Sequence, residues 1–308
     1  MSLGELGELP ALVQQAEAQE KARLSLVHPG FYEHAQNELK RVLTPDIFDG
    51  CRVEVHKPLG SKFATSHTIW IGSTLIPNGI YQFGANAVIG SDLNAPDTLL
   101  SGRITPDGRL DARWHQNLNK QVTLRIQSQL SSEAEGLPGV IDVDYVGSDF
   151  GVNMKCMPGP LFGLSYFQSI TNALAMGGEG YYAAEHNKSI LSYCARYTTP
   201  DWMGIATYGS IGTLHLHYMR KLSDRVKLAS ELVYNNSNGE STANVGAEFT
   251  LRQSRFLTNV DHTGKISSTI EAQLGQGVTM LMSAEGAPAR NEFKFGYGLN
   301  FAPQYAPQ

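Results

Sequence analysis

Residues 291–301 read NEFKFGYGLNF, and from Glu292 onward their side chains alternate strictly between a polar and an apolar set. Because successive side chains of a β-strand point to opposite faces, this stretch predicts a strand with one apolar face and one polar face. The polar face carries charged residues and two glycines. The apolar face carries five large side chains, at Phe293, Phe295, Tyr297, Leu299 and Phe301. Whether that face contacts lipid or a protein core depends on the pattern in the rest of the chain.

The same period of two runs through the chain from Cys51 onward. Val122, Leu124 and Ile126, for example, alternate with polar residues such as Arg125. Short turn signals separate such segments, and counting them gives about nineteen strands, each near the ~10 residues that a tilted transmembrane strand needs. No long helical stretch interrupts the series, which argues against α/β architecture.

Two all-β architectures fit this alternation. A soluble sandwich or propeller would bury the apolar face, and its alternation is locally identical. An apolar face that continues over roughly 250 residues, with few long loops and aromatic residues near strand ends, is typical of a membrane barrel. We therefore predict a transmembrane β-barrel, with a soluble all-β binding protein as the alternative.

Composition supports a surface that is not wholly exposed to water. The 308 residues are 42% hydrophobic and 17% charged, below the roughly 25% charged that is usual in soluble domains. The net charge of -5 argues against nucleic acid as a partner, since phosphate binding needs a positive field.

The sequence predicts neither catalysis nor a cofactor. No set of nucleophile, base and acid emerges, so we expect no enzyme. Cys51, Cys156 and Cys194 are odd in number and lack a second ligand at metal spacing, which disfavours disulfides and zinc. His215 and His217 share a strand face, but the sequence shows no third ligand, and we interpret them as polar residues of a lumen.

The chain divides into four predicted parts. Residues 1–28 are polar and form an extension that is expected to be flexible. Residues 29–50 contain one amphipathic helix, from Phe31 to Leu43, and a linker. Residues 51–302 form the barrel, and residues 303–308 form a tail.

Motifs between residues 28 and 301 resemble one protein family, the channel-forming subunits of the mitochondrial outer-membrane protein translocase (the TOM complex), within the mitochondrial porin superfamily. The motifs are HPGFYE at 28–33, TPD at 44–46, FDG at 48–50, YQFGAN at 81–86, DGRLDAR at 107–113, SYFQSIT at 165–171, GGE at 177–179, LRQ at 251–253 and KFGYGL at 294–299. In the last strand, the sorting signal of mitochondrial outer-membrane barrels is matched by Lys294, Gly296, Leu299 and Phe301.

The resemblance implies a nineteen-stranded barrel whose first and last strands pair in parallel, with the preceding helix in the pore. It implies a location in the mitochondrial outer membrane and the conduction of unfolded precursor proteins that carry presequences. The implied partners are a single-span receptor, small helical TOM subunits, other copies of the chain and membrane lipids. The rival function is that of a voltage-dependent anion channel, a porin that passes metabolites.

In such a barrel, the charged residues of the polar faces would line the pore. An acidic excess there would attract basic presequences weakly at many places, which permits entry without trapping. The predicted acidic path consists of Glu54, Asp111, Asp142, Asp144, Glu179, Glu231, Glu248, Glu271 and Glu285, and the predicted basic residues of the wall are Arg52, Arg113 and Arg252.

Overall fold

The computed structural model describes residues 26–74, 76–90, 97–130, 139–288 and 291–302. In these ranges nineteen strands form one closed barrel, in which consecutive strands are antiparallel neighbours and the first and last strands pair in parallel. Strands that alternate in direction leave the first and last of an odd number running the same way, so closure requires one parallel seam. The predicted all-β barrel, its number of strands and its parallel closure are confirmed.

The strands are labelled β1 to β19 in chain order. Their bounds are Gly50–Pro58, Phe63–Ile71, Ile80–Ile89, Thr98–Ile104, Leu110–Asn117, Val122–Leu130, Gly139–Val146, Phe150–Met157, Leu161–Ser169, Leu174–Ala183, Lys188–Thr198, Trp202–Gly209, Thr213–Ser223, Val226–Asn235, Glu240–Thr250, Ser254–Asp261, Ile266–Gly275, Val278–Ala287 and Glu292–Phe301.

The segment before β1 lies inside the barrel. It comprises a 3₁₀ turn at Tyr32–His34, which contacts β9 and β10, and a helix α1 at Asn37–Leu43, which contacts β13 to β16. The single helix expected from Phe31 to Leu43 is thus divided in two. Both parts bury apolar side chains, Tyr32 and Ala35 before the break and Leu39, Val42 and Leu43 after it.

The sequence from Cys156 to Gly178 contains no charged residue. It forms the end of β8, all of β9 and part of β10. Its two prolines lie in the β8–β9 turn, where they remove no hydrogen bond from the sheet. In the described ranges, no helix is long and apolar enough to cross a bilayer. Residues 1–25 of the predicted extension and the predicted tail lie outside the described residues.

Strand register separates an outer from a luminal face, because residues paired across neighbouring strands point to the same side. On β19, Gly296 faces Phe48 of the inner segment, so the alternate residues form the outer face. Phe293, Phe295 and Tyr297 accordingly expose 61%, 70% and 55% of their surface. In a membrane this face meets lipid.

Candidate functional site in the barrel lumen

The luminal face of the strands carries eleven of the twelve charged residues predicted to line the pore. Following the register from Gly296 around the sheet places each of them on the same side as Phe48. These eleven are Glu54, Asp111, Asp142, Asp144, Glu179, Glu231, Glu248, Glu271, Glu285, Arg52 and Arg113. Of the predicted sorting residues, Lys294 and Gly296 face the lumen, whereas Leu299 and Phe301 face outward.

The twelfth residue, Arg252, is not on a strand wall, and its expected position there is wrong. β15 ends at Thr250 and β16 begins at Ser254, so Arg252 occupies the exposed turn between them. The Leu251 amide donates to the carbonyl of Ser254 at 2.8 Å and closes a turn there. The alternating sequence pattern had predicted that the strand continues through Arg252.

Six of the nine luminal acids have a basic or histidine partner on the barrel. Glu248 accepts a hydrogen bond from Arg255 Nε at 2.7 Å. The other five pairs are Glu54 with Arg52 at 3.3 Å, Asp144 with Arg125 at 2.8 Å, Glu231 with His217 at 3.8 Å, Glu271 with Arg255 at 3.8 Å and Glu285 with Lys265 at 2.9 Å. Within the described ranges, Asp111, Asp142 and Glu179 form no ion pair within 4.0 Å. Five of these six acids thus lie within 4.0 Å of an arginine or lysine, whereas Glu231 has only the imidazole of His217 beside it.

The start of the inner segment is held by charge. Glu33 forms an ion pair with Lys155 and lies 3.7 Å from Arg125. Burial alone would raise the pKa of Glu33, but the hydrogen bond and charge of Lys155, with the charge of Arg125, lower it below the ordinary value. Arg125 also holds Asp144, which accepts a second hydrogen bond from Asn153 Nδ2 at 2.5 Å. Asp144 is thus part of the anchor of the segment.

The middle of the segment is held by apolar packing. The ring of Tyr32 meets that of Phe167 edge-on at 6.3 Å between centroids, and Phe167 is completely buried. On α1, the buried side chains Leu39, Val42 and Leu43 belong to one apolar cluster with residues of the wall. Full burial of each such side chain contributes about 1.5–3 kcal/mol, so apolar packing stabilises α1 against the wall.

The end of the segment passes under the parallel seam. Ser283 Oγ of β18 contacts both the amide and the carbonyl of Phe48. The guanidinium of Arg52 lies 4.3 Å from the centre of the Phe48 ring. A Cβ on Gly296 would come within 2.3 Å of the Phe48 carbonyl oxygen, so only glycine lets the segment approach β19 this closely.

Asp49 binds the segment to the connection that follows β2, at Ser73 and Thr74. Its carboxylate accepts hydrogen bonds from the hydroxyls of Ser73 and Thr74 and from the Thr74 amide at 2.6 Å. These bonds lower the pKa of Asp49 to about 2. Its carbonyl accepts from Trp70 Nε1 at 2.7 Å. The sequence had singled out residues 48–50 only as part of a family motif. The local signal for a special turn is the glycine at position 50, whose φ is 78° in the structure, a value that favours glycine.

Comparisons with known proteins agree with this architecture. The sequence profile of the eukaryotic porins matches residues 28–296. Among solved structures, a triple mutant of the Rhodopseudomonas blastica porin aligns with a TM-score of 0.50 and 11% identity, covering 71% of this chain and 96% of that one. At that identity, the likeness concerns the fold alone.

Three curated relatives are similar over nearly the whole chain. The probable mitochondrial import receptor subunit TOM40-2 of Arabidopsis thaliana is 32% identical over 88% of this chain and 90% of its own length. The TOM40 homolog 2 of Drosophila melanogaster is 30% identical over 95% and 89%. The TOM40 subunit of Saccharomyces cerevisiae is 26% identical over 90% and 79%.

Proposed function

Since this chain belongs to the eukaryotic porin family, and within it to the TOM40 import receptor subunits, we propose that it is the pore of the TOM complex. In that role it conducts unfolded precursor proteins across the mitochondrial outer membrane. The observation that carries this function is the 32% identity to the Arabidopsis subunit over 88% of the chain. The translocating role, and not that of a metabolite channel, is the one that these relatives' names support.

The protein reconstituted in a planar bilayer tests this function. A basic presequence peptide should block its conductance in a voltage-dependent way, and a peptide of the same composition without an amphipathic helix should block it less. Preference for anions, with no response to the presequence, would instead identify a metabolite porin.

We also propose that the luminal acids guide presequences, with the main contribution from Asp111, Asp142 and Glu179. All three are partly exposed to the lumen and form no ion pair within the described ranges. The acids that have a lysine or arginine within 4.0 Å contribute less, because that cation already offsets their charge. The cross-strand cations of Asp111 and Asp142, namely Arg103, Arg125 and Lys155, lie farther from these carboxylates. Arg52 and Arg113 make the wall mixed in sign, which keeps each contact with a passing chain weak.

Replacing these three acids by their amides, as D111N, D142N and E179Q together, should raise the peptide concentration for half-maximal block about tenfold. Three exposed charge contacts of about 0.5 kcal/mol each add up to about 1.5 kcal/mol, and a loss of about 1.4 kcal/mol weakens binding tenfold. The matched control changes three acids in turns, as D107N, E185Q and D224N, with the same change in net charge. Equal block in both triple variants would contradict a local acidic path.

The last strand is proposed to carry the sorting signal in Lys294, Gly296, Leu299 and Phe301. Leu299 and Phe301 present apolar side chains outward, where an assembly machinery could reach them before closure. Newly made Leu299→Ala protein should therefore assemble poorly in isolated mitochondria while refolding normally in detergent. Assembly at the wild-type rate would remove Leu299 from the signal.

The proposed partners are presequence-bearing precursors, a single-span receptor, small helical TOM subunits and further copies of the chain. The continuous apolar outer face supports contacts with lipids and with membrane-spanning helices. We propose the same division of the chain as the sequence predicts, with residues 29–50 as the unit in the pore and residues 51–302 as the barrel. Enzymatic activity forms no part of this role.

A further inference from the structure

Beneath α1, the luminal wall brings together two histidines and a carboxylate. His215 and His217 lie two residues apart on β13, and their rings stack at 6.2 Å between centroids with an angle of 15°. Glu231 of β14 is paired directly across from His217. One potential ligand atom from each of the three residues lies within 4.8 Å of the others. The third ligand, invisible in the sequence, thus comes from the neighbouring strand.

The imidazole of His217 is buried in the luminal wall. Its side chain is 1% exposed, and within the described part of the chain neither ring nitrogen has a hydrogen-bond partner. Glu231 Oε1 is 3.8 Å from His217 Nδ1, which is too far for a hydrogen bond. Leaving a buried polar group unsatisfied is costly, so these nitrogens point to a ligand that would bind them.

We propose that His215, His217 and Glu231 form a site for a transition-metal ion of the Zn²⁺ class. Two imidazole nitrogens and one carboxylate oxygen are a common three-residue ligand set for zinc, with a fourth position open to water. Zinc–ligand bonds of about 2.0–2.2 Å place tetrahedral donors about 3.4 Å apart. The 3.8 Å between His217 and Glu231 needs little adjustment. The other separations, which are all within 4.8 Å, would be shortened by rotation of the less buried side chains of His215 and Glu231. Imidazole disfavours Mg²⁺ and Ca²⁺.

The surroundings orient the ligands. Asn244 Nδ2 of β15 donates to Glu231 Oε2 at 3.3 Å, which leaves Oε1 to face His217. Such outer contacts fix a metal ligand in place. Lys40 of α1 is near enough to interact electrostatically with His217 and opposes a cation, but its side chain is exposed and its charge is screened by water. The metal would tie β13 to β14 at the place where α1 contacts both strands.

The test is a metal titration of the refolded full chain in detergent after treatment with a chelator. Co²⁺ should give the visible absorption of a four-coordinate site at one ion per chain, and Zn²⁺, but not Mg²⁺, should displace it. The variants H215N, H217N and E231Q should each lose at least about 100-fold in Zn²⁺ affinity, since even changes of outer contacts cost about 10–100-fold.

The matched control is H56N. His56 also faces the lumen and lies 3.8 Å from a carboxylate, that of Glu54, but it has no second histidine beside it on its strand. This variant should bind Zn²⁺ like the wild type. If H217N does not fold, E231Q and H215N, which alter less buried side chains, decide the question. Absence of stoichiometric binding by the wild type, or binding that E231Q and H215N leave unchanged, would overturn the proposal.

Discussion

Gly296→Ala is expected to prevent closure of the barrel. The new Cβ would lie 2.3 Å from the carbonyl oxygen of Phe48 and 2.7 Å from its ring. The first of these atoms is backbone, so no change of side-chain conformation relieves the clash, and the segment must leave the seam. Overpacking alone costs about 1–3 kcal/mol, and loss of the Phe48 contacts adds to that cost. We expect assembled protein in isolated mitochondria to fall at least about tenfold.

Gly102→Ala is the matched control, because it makes the same change on β4 where a Cβ would meet nothing within 4 Å. The last strand has two proposed roles, as a sorting signal and as one side of the parallel seam. Leu299→Ala is expected to affect only the sorting signal. A purely sorting role for Gly296 predicts that Gly296→Ala refolds from denaturant into detergent as well as the wild type does. A structural role predicts that it fails there too. Normal refolding would contradict the seam argument.

Barrel architecture was accessible from the sequence because each strand residue reports its own environment. A strand with lipid on one side and water on the other has apolar and polar side chains in alternation. The outward orientation of Phe293 and the luminal orientation of Lys294 can therefore be predicted without knowing which residues lie beside them. The strand count follows from the same local signal. The parallel seam of β1 and β19 came from the family resemblance, and the odd strand count requires it.

Interactions between strands were not accessible in this way. The contact of His217 with Glu231 depends on the register of β13 against β14, and alternation carries no information about register. Arg252 was misplaced because alternation does not mark the residue at which a strand turns. The approach of Phe48 to Gly296 joins residues far apart in sequence, and a glycine in a strand gives no indication of what fills the space beside it.

Asp49→Asn is expected to destabilise the closed barrel by about 2 kcal/mol at neutral pH. The ordinary pKa of an aspartate is about 3.9, whereas hydrogen bonds from Ser73 and Thr74 lower that of Asp49 to about 2. A lowered pKa means that the folded state favours the charged carboxylate, at about 1.4 kcal/mol per unit. This contribution is complete above about pH 5 and is lost as the pH falls toward 2.

The wild type and Asp49→Asn should therefore differ in unfolding free energy at pH 7 and converge as the pH falls from about 4 to 2. Denaturant unfolding in detergent measures this difference. Asp46→Asn is the control, since the Asp46 side chain is 58% exposed in its pair with Arg52 and such pairs contribute little. A constant difference across the acid range would show that the amide side chain disturbs packing, whereas convergence would assign the stabilisation to the charge that ties the pore segment to the barrel.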